Sequence, residues 1–200
     1  MNKEKNKLSK RQKLYKPLKR LIGLFGSFIG TIICFSLFWW WIFLINLFSS
    51  HGHPLFKQER VGKNGRIFKL LKFRTMKTDV DPNLTSSETN AIDGYTKFGK
   101  FLRKTSLDET LQLLNIFIGQ MAFIGPRPLI DHGQDKITNQ MRKENGSISL
   151  RPGLSGYAQV HGRTNVTPEQ KAELDFYYLK HFNLFLDIKI FFLSIFKSVN

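Results

Sequence analysis

Residues 21–50 carry no Asp, Glu, Lys or Arg, and the chain on either side of them is strongly basic. A helix needs about twenty apolar residues to reach across a hydrocarbon core, so this run is long enough to enter a bilayer. It is too long for the apolar part of a signal peptide and has no small-residue cleavage site after it. The segment 1–20 holds nine Lys/Arg against one acid, Glu4, which predicts a juxtamembrane stretch on the cytoplasmic side, attracted to anionic lipid. The flank after the run adds Lys57, Arg60, Lys63, Arg66, Lys69, Lys72, Arg74 and Lys77. Positive charge on both sides predicts that both flanks are cytoplasmic. Trp39-Trp40-Trp41 marks a membrane interface, and the nine uncharged residues that follow are too few to recross. No proline lies between Pro17 and Pro54, so Ser36, Gly26 and Gly30 are the places where the helix is expected to loosen.

The rest divides into 1–20 as a basic segment, 21–50 as the membrane element and 51–200 as one compact domain. The expected class is α+β, mainly helical. Gly62 to Gly65 reads as a turn between short strands, whereas Arg66 to Met76 alternates too loosely to choose strand or helix. Thr78 to Tyr95 reads as a polar loop, a lid or a connector. Lys97 to Lys104 is a basic amphipathic segment, and Glu173 to Lys180 looks helical. In 183–200, Asn183, Asp187, Ser194 and Ser198 form one narrow polar stripe in an otherwise apolar helix. Such a helix is buried or lies in a membrane interface, with Lys189 and Lys197 snorkelling. Residues 131–149 carry no clear signal.

A net charge of +16 calls for an anionic partner: membrane lipid, nucleic acid or a phosphorylated substrate. No nucleic-acid-binding motif accompanies the charge, which disfavours that class. Cys34 is the single cysteine, so no disulfide or cysteine-based metal site forms within the chain. His51 and His53 lack a third ligand nearby and read as a loop.

Chemistry concentrates in Ser106 to Pro128. Ser106 and Glu109 have capping-box spacing, which predicts Asp108 and Glu109 in the first turn of a helix, with Leu107, Leu111, Leu114 and Ile118 on one face. There the macrodipole favours negative charge. Gly125-Pro126-Arg127-Pro128 follows as a rigid turn with one guanidinium. Arg151-Pro152-Gly153 and Ser155-Gly156 form a second, whose glycines allow close backbone approach to a ligand, and Arg151 and Arg163 add donors. A carboxylate pair with a fixed arginine suits phosphoryl chemistry. The same residues also read as a helix cap and a loop tied by salt bridges.

Three ordered blocks decide between these readings: QERVGKNGRIFKLLKFRTM, SLDETLQLLNIFIGQMAFIGPRPL, and LRPGLSGYAQVHGRT followed by ELDFYYLKHFNLFLDIK. Together they resemble the bacterial sugar transferases, the polyprenyl-phosphate sugar-1-phosphate transferases of surface-glycan synthesis, over most of the chain from Pro54 onward. The resemblance implies a small monotopic phosphoglycosyl transferase on the cytoplasmic face of the bacterial membrane, anchored by a re-entrant helix. It implies transfer of a sugar 1-phosphate from a UDP-linked sugar to undecaprenyl phosphate through an aspartyl phosphosugar. Asp108 would be the nucleophile and Glu109 a base or metal partner, with Mg²⁺ held by both. Arg127, Arg151, Arg74 and Arg163 would bind substrate phosphate. The implied partners are nucleotide sugar, polyprenyl phosphate and membrane lipid. The sequence does not set the oligomeric state, a homodimer included. The family pattern is departed from at Gly23, Gln120, Ala122 and Thr110-Leu111. The alternative is a non-catalytic membrane protein of the same fold that binds polyprenyl phosphate or partner enzymes.

Overall fold

A computed structural model describes residues 8–49, 52–81, 84, 92–162 and 166–199, without the side chains of 197–199. Arg163, and the parts of the polar loop around 82–83 and 85–91, lie outside the described residues, as does the Lys197 side chain. The fold is α+β and mainly helical. Helix α1 (Lys10–Cys34) runs through a π segment (Phe35–Trp39) into α2 (Trp40–Ser49). This Lys10–Ser49 stretch is long and apolar enough to cross a membrane. The π segment begins one residue before Ser36, the expected weak point, so the ladder widens there instead of breaking. Gly26 and Gly30 are not hinges. A Cβ on Gly26 would lie 2.9 Å from the Phe123 ring, and one on Gly30 would lie 3.2 Å from Leu113. Both glycines are close-packing points.

Strands β1 (Leu55–Val61) and β2 (Ile67–Phe73) pair across a turn in which Asn64 and Gly65 have φ of 58° and 78°. That settles 67–73 as strand. Then come α3 (Lys97–Lys104), α4 (Gln112–Phe117), β3 (Ala122–Ile124), α5 (Gly133–Asn145), β4 (Gly153–Ser155), α6 (Tyr157–His161), α7 (Pro168–His181) and α8 (Leu184–Val199). Thr167 and Gln170 close a capping box at the start of α7, with Pro168 at its first position.

The chain packs as two units. One comprises the described residues of Met1–Gly26, Glu59–Phe68 and Ile116–Asn200; the other comprises those of Ser27–Gln58 and Lys69–Asn115. In the first, Ile124, Tyr178, Leu179, Phe182 and Ile190 form the core. Two residues of the polar stripe, Asp187 and Ser194, turn inward there, whereas Asn183 is exposed and the Ser198 side chain lies outside the described residues. Asp187 accepts from Tyr15 Oη at 2.7 Å, Lys19 Nζ at 2.6 Å and Tyr178 Oη at 2.5 Å. Ser194 bonds Ser155. The apolar side of α8 is left outside, with Phe185 83% and Phe196 67% exposed. An apolar outer face removes the buried-helix alternative for 183–200 and suits a membrane interface.

Candidate active site

The acidic pair does not sit where a capping box would put it. Ser106 is left-handed (φ 57°) and makes no side-chain cap bond; its N–H instead donates to Arg103 O at 3.1 Å, closing α3. An N-cap needs extended backbone to aim its hydroxyl at the next turn, which a left-handed residue does not provide. Asp108 and Glu109 therefore lie in a 3₁₀ turn, Leu107–Glu109, and α4 begins three residues later. Ile118 falls beyond the end of α4 and is exposed, so the apolar face is shorter than the spacing predicted.

Three side chains lock this turn within its unit. Lys72, from β2, pairs with Glu109 Oε1 at 2.9 Å. Asn115, from α4, accepts the Leu71 N–H at 3.0 Å and donates to Lys69 O at 2.9 Å, so it clamps one edge of β2 at two points. Thr110 Oγ1 accepts from Trp39 Nε1 at 2.9 Å and donates to Leu107 O at 2.8 Å. Thr110, one of the departures from the family pattern, thus ties the acidic turn to the long apolar helix. Asp108 is buried, 4% exposed. Directly after the pair, Leu111 and Leu114 line an apolar cavity of about 520 Å³ whose other walls include Phe35, Trp39, Phe43 and Phe73. Arg74 belongs to the same unit, with Nε donating to His53 O at 2.7 Å and its guanidinium 5.8 Å from the centre of the Phe56 ring.

Arg127 and Arg151 belong to the other unit. Here the two glycine-rich turns grip each other. Strands β3 and β4 are parallel, with Ala122 opposite Gly153 and Ile124 opposite Ser155. Gly125 N–H donates to Ser155 O at 2.8 Å, and Gly153 N–H to Pro126 O at 2.9 Å. A Cβ on Gly125 would stand 2.3 Å from Arg151 O, one on Gly153 2.1 Å from Gly125 N, and one on Gly156 2.1 Å from Gly125 O. These glycines let two backbones approach each other, not a ligand as their sequence suggested. The Arg127 carbonyl accepts from Arg142 Nη1 at 3.0 Å, and Arg142 is itself paired with Asp175. The Arg127 backbone is thereby fixed from behind. Arg151 Nε donates to Gly119 O at 3.0 Å.

The structure thus places the carboxylates with Arg74 in one unit and Arg127 with Arg151 in the other. The sequence did not single out Asn115 or Arg142, and it named Lys72 only as a flanking cation and Trp39 only as an interface marker. Lys72 sits among similar cations, and its partner is 37 residues away. Arg142 lies in a stretch with no motif.

A family model described as bacterial sugar transferase matches residues 14–200. Galactosyl transferase CpsE of Streptococcus agalactiae is 35% identical over 88% of this chain and 41% of its own length. The uncharacterized sugar transferase EpsL of Bacillus subtilis is 36% identical over 90% of this chain and 86% of its own. UDP-glucose:undecaprenyl-phosphate glucose-1-phosphate transferase of Escherichia coli is 34% identical over 75% of this chain and 33% of its own. The chain therefore spans well under half the length of two of these relatives and most of the third.

Proposed function

This chain belongs to the bacterial sugar transferase family, and we propose that it transfers a sugar 1-phosphate from a UDP-linked sugar to undecaprenyl phosphate at the cytoplasmic face of the bacterial membrane, initiating surface-glycan synthesis. The observation that carries this reading is the locked acidic turn, with Asp108 buried, Glu109 held by Lys72 and an apolar cavity opening beside Leu111 and Leu114. Relatives named for UDP-glucose and undecaprenyl phosphate support the substrate pair.

An Asp108 carboxylate oxygen attacks the sugar-side phosphorus. The bond from that phosphorus to the bridging oxygen breaks, and UMP leaves with the electron pair. A phosphate oxygen of undecaprenyl phosphate then attacks the same phosphorus, releases Asp108 and gives the lipid diphosphosugar. Two displacements at one site reuse the same electrostatic surroundings. The apolar cavity takes the first prenyl units of the acceptor; its volume is in the usual range for small-ligand sites. Lys72 orients Glu109 and offsets its charge.

Among the described residues no cluster of three or more His, Cys, Asp or Glu forms. The protein thus offers the two carboxylates of the turn. That donor set fits Mg²⁺, which takes one or two carboxylates and completes its shell with water and substrate phosphate. Asp108 and Glu109 would hold it, and it would supply charge neutralisation at the diphosphate.

The test is release of UMP from a panel of UDP-sugars by purified protein. Repeated turnover that requires both undecaprenyl phosphate and Mg²⁺ is expected, with a single UMP released per enzyme when lipid is withheld; no release with any sugar would leave the non-catalytic alternative.

Arg127 acts on phosphate in this reading. Two prolines flank it and Arg142 fixes its carbonyl, so the backbone that carries the guanidinium has little freedom. Arg127→Lys cannot copy a two-pronged fork and should lose about tenfold or more in kcat/KM, near 1.4 kcal/mol of barrier, with an unchanged thermal midpoint. Turnover close to wild type would take Arg127 out of the site.

The anchor is re-entrant in the same reading, because both flanks are basic and the π segment at 35–39 gives the helix a place to bend. Single cysteines at Lys13 and Lys104, in a Cys34→Ala background, should both react only from the cytoplasmic side. Labelling of position 104 from outside intact cells would replace the re-entrant anchor with a straight crossing.

A further inference from the structure

Apart from the acidic turn, the first unit encloses a small cavity of about 60 Å³ lined by five cations. Lys16, Lys19 and Arg20 come from one face of α1, Lys63 from the β1–β2 turn, and Arg151 from the segment before β4. Among the described residues neither Asp nor Glu lines it, and much of the remaining wall is apolar, Phe182 included.

Among the described residues most of this charge meets no acid. Asp187 answers Lys19 alone, at 2.6 Å. Arg20 is held by neutral carbonyls, with Nη1 on Ile116 O at 2.6 Å and Nη2 on Phe117 O at 2.7 Å, and Arg151 by Gly119 O. Carbonyls orient a guanidinium without neutralising it. Among the described residues, Lys16, Arg20, Lys63 and Arg151 form no ion pair with an acid. The cations also act on each other. Burial first, then Lys16, Arg151 and Arg66, holds the Lys63 ammonium below its usual range; burial and then Arg20 do the same to Arg151. Like charges gathered around one void raise the energy of the protein until an anion enters.

Position and size narrow the anion. Lys19 and Arg20 are the last charges before the uncharged run, and Gly23, already inside that run, also lines the cavity. The site thus sits where the helix passes from basic to apolar sequence, the level of lipid phosphates for a helix entering a bilayer. In the same unit α8 exposes Phe185 and Ile188. A volume of this size holds a few waters or one phosphate group, since a water occupies about 30 Å³.

We propose that this cavity binds the phosphate of an anionic membrane lipid and fixes the foot of α1 at the headgroup layer. The site is additional to the transfer reaction: neither Asp108 nor Glu109 lines it, and it gives Arg151 to lipid, not to nucleotide sugar.

The test uses the full chain in neutral detergent, titrated with dioctanoyl phosphatidylglycerol and followed by the rise in thermal midpoint. Lys16→Gln/Lys63→Gln should weaken half-saturation about tenfold or more, as expected for two cations near lipid charge. Lys16→Arg/Lys63→Arg should keep it. Lys10→Gln/Lys13→Gln removes equal charge from exposed positions of α1 that do not line the cavity, and should stay within about twofold. Equal weakening in the two glutamine pairs would reduce the effect to diffuse attraction and overturn the site. An equal response to dioctanoyl phosphatidylcholine would overturn the requirement for net charge. An equal response to inorganic phosphate would make the ligand a soluble anion and remove the lipid.

Discussion

Asp108→Asn is expected to abolish turnover, by about a thousandfold or more, because it removes the attacking oxygen's charge while keeping the side chain's shape. Asp108 is buried in a 3₁₀ turn that Lys72, Asn115 and Thr110 hold independently. The variant should therefore stay folded, its thermal midpoint within about 4 °C of wild type, the scale of one kcal/mol for a chain of this size. Wild type given the nucleotide sugar and Mg²⁺ without lipid acceptor should gain the mass of one sugar phosphate, mapping to Asp108. Asp108→Asn should gain none. An unmodified Asp108 in an enzyme that turns over fully once lipid is added would favour direct in-line transfer and leave Asp108 a metal ligand.

Arg142→Met should cost about 3–5 kcal/mol of stability, the usual result of stranding one partner of a buried ion pair. Arg142 and Asp175 have side chains only 4% and 1% exposed, and the guanidinium bonds Asp175 Oδ2 through both Nε and Nη2. With Arg142 gone, the Asp175 carboxylate is left in the interior. The expected fall in thermal midpoint is roughly 6–20 °C. Arg142→Met/Asp175→Leu should recover much of it, because apolar replacement of the whole pair leaves no buried charge. A fall in the single variant of less than about 2 °C would mean that water reaches the pair. The double variant separates stability from positioning. It restores the packing, yet it still lacks the bond from Arg142 to Arg127 O, so its activity should remain below that of wild type.

Much of this was legible along the chain. An uncharged run between basic flanks predicts a membrane element, because charge and hydrocarbon separate by solvation, and the run does form a helix long and apolar enough to cross a membrane. The narrow polar stripe of 183–200 marked a helix with an inverted surface for the same reason, and Asp187 and Ser194 do face inward. The ordered blocks identified the family. Short-range reading failed where a local signal had a tertiary competitor. Ser106-x-x-Glu109 has the spacing of a capping box, but the end of α3 claims Ser106 first and twists it left-handed. Gly153 and Gly156 read as places where the backbone approaches a ligand; parallel pairing of β3 and β4 made the neighbour the backbone of Gly125 instead. The partners of Glu109, Thr110 and Arg127 lie 37, 71 and 15 residues away. Pairings of that kind depend on which surfaces packing brings together. Composition and spacing therefore determined where the apolar run lies and which residues carry charge, and only the tertiary structure decided which of those charges meet an acid among the described residues, because that depends on which distant surfaces pack together.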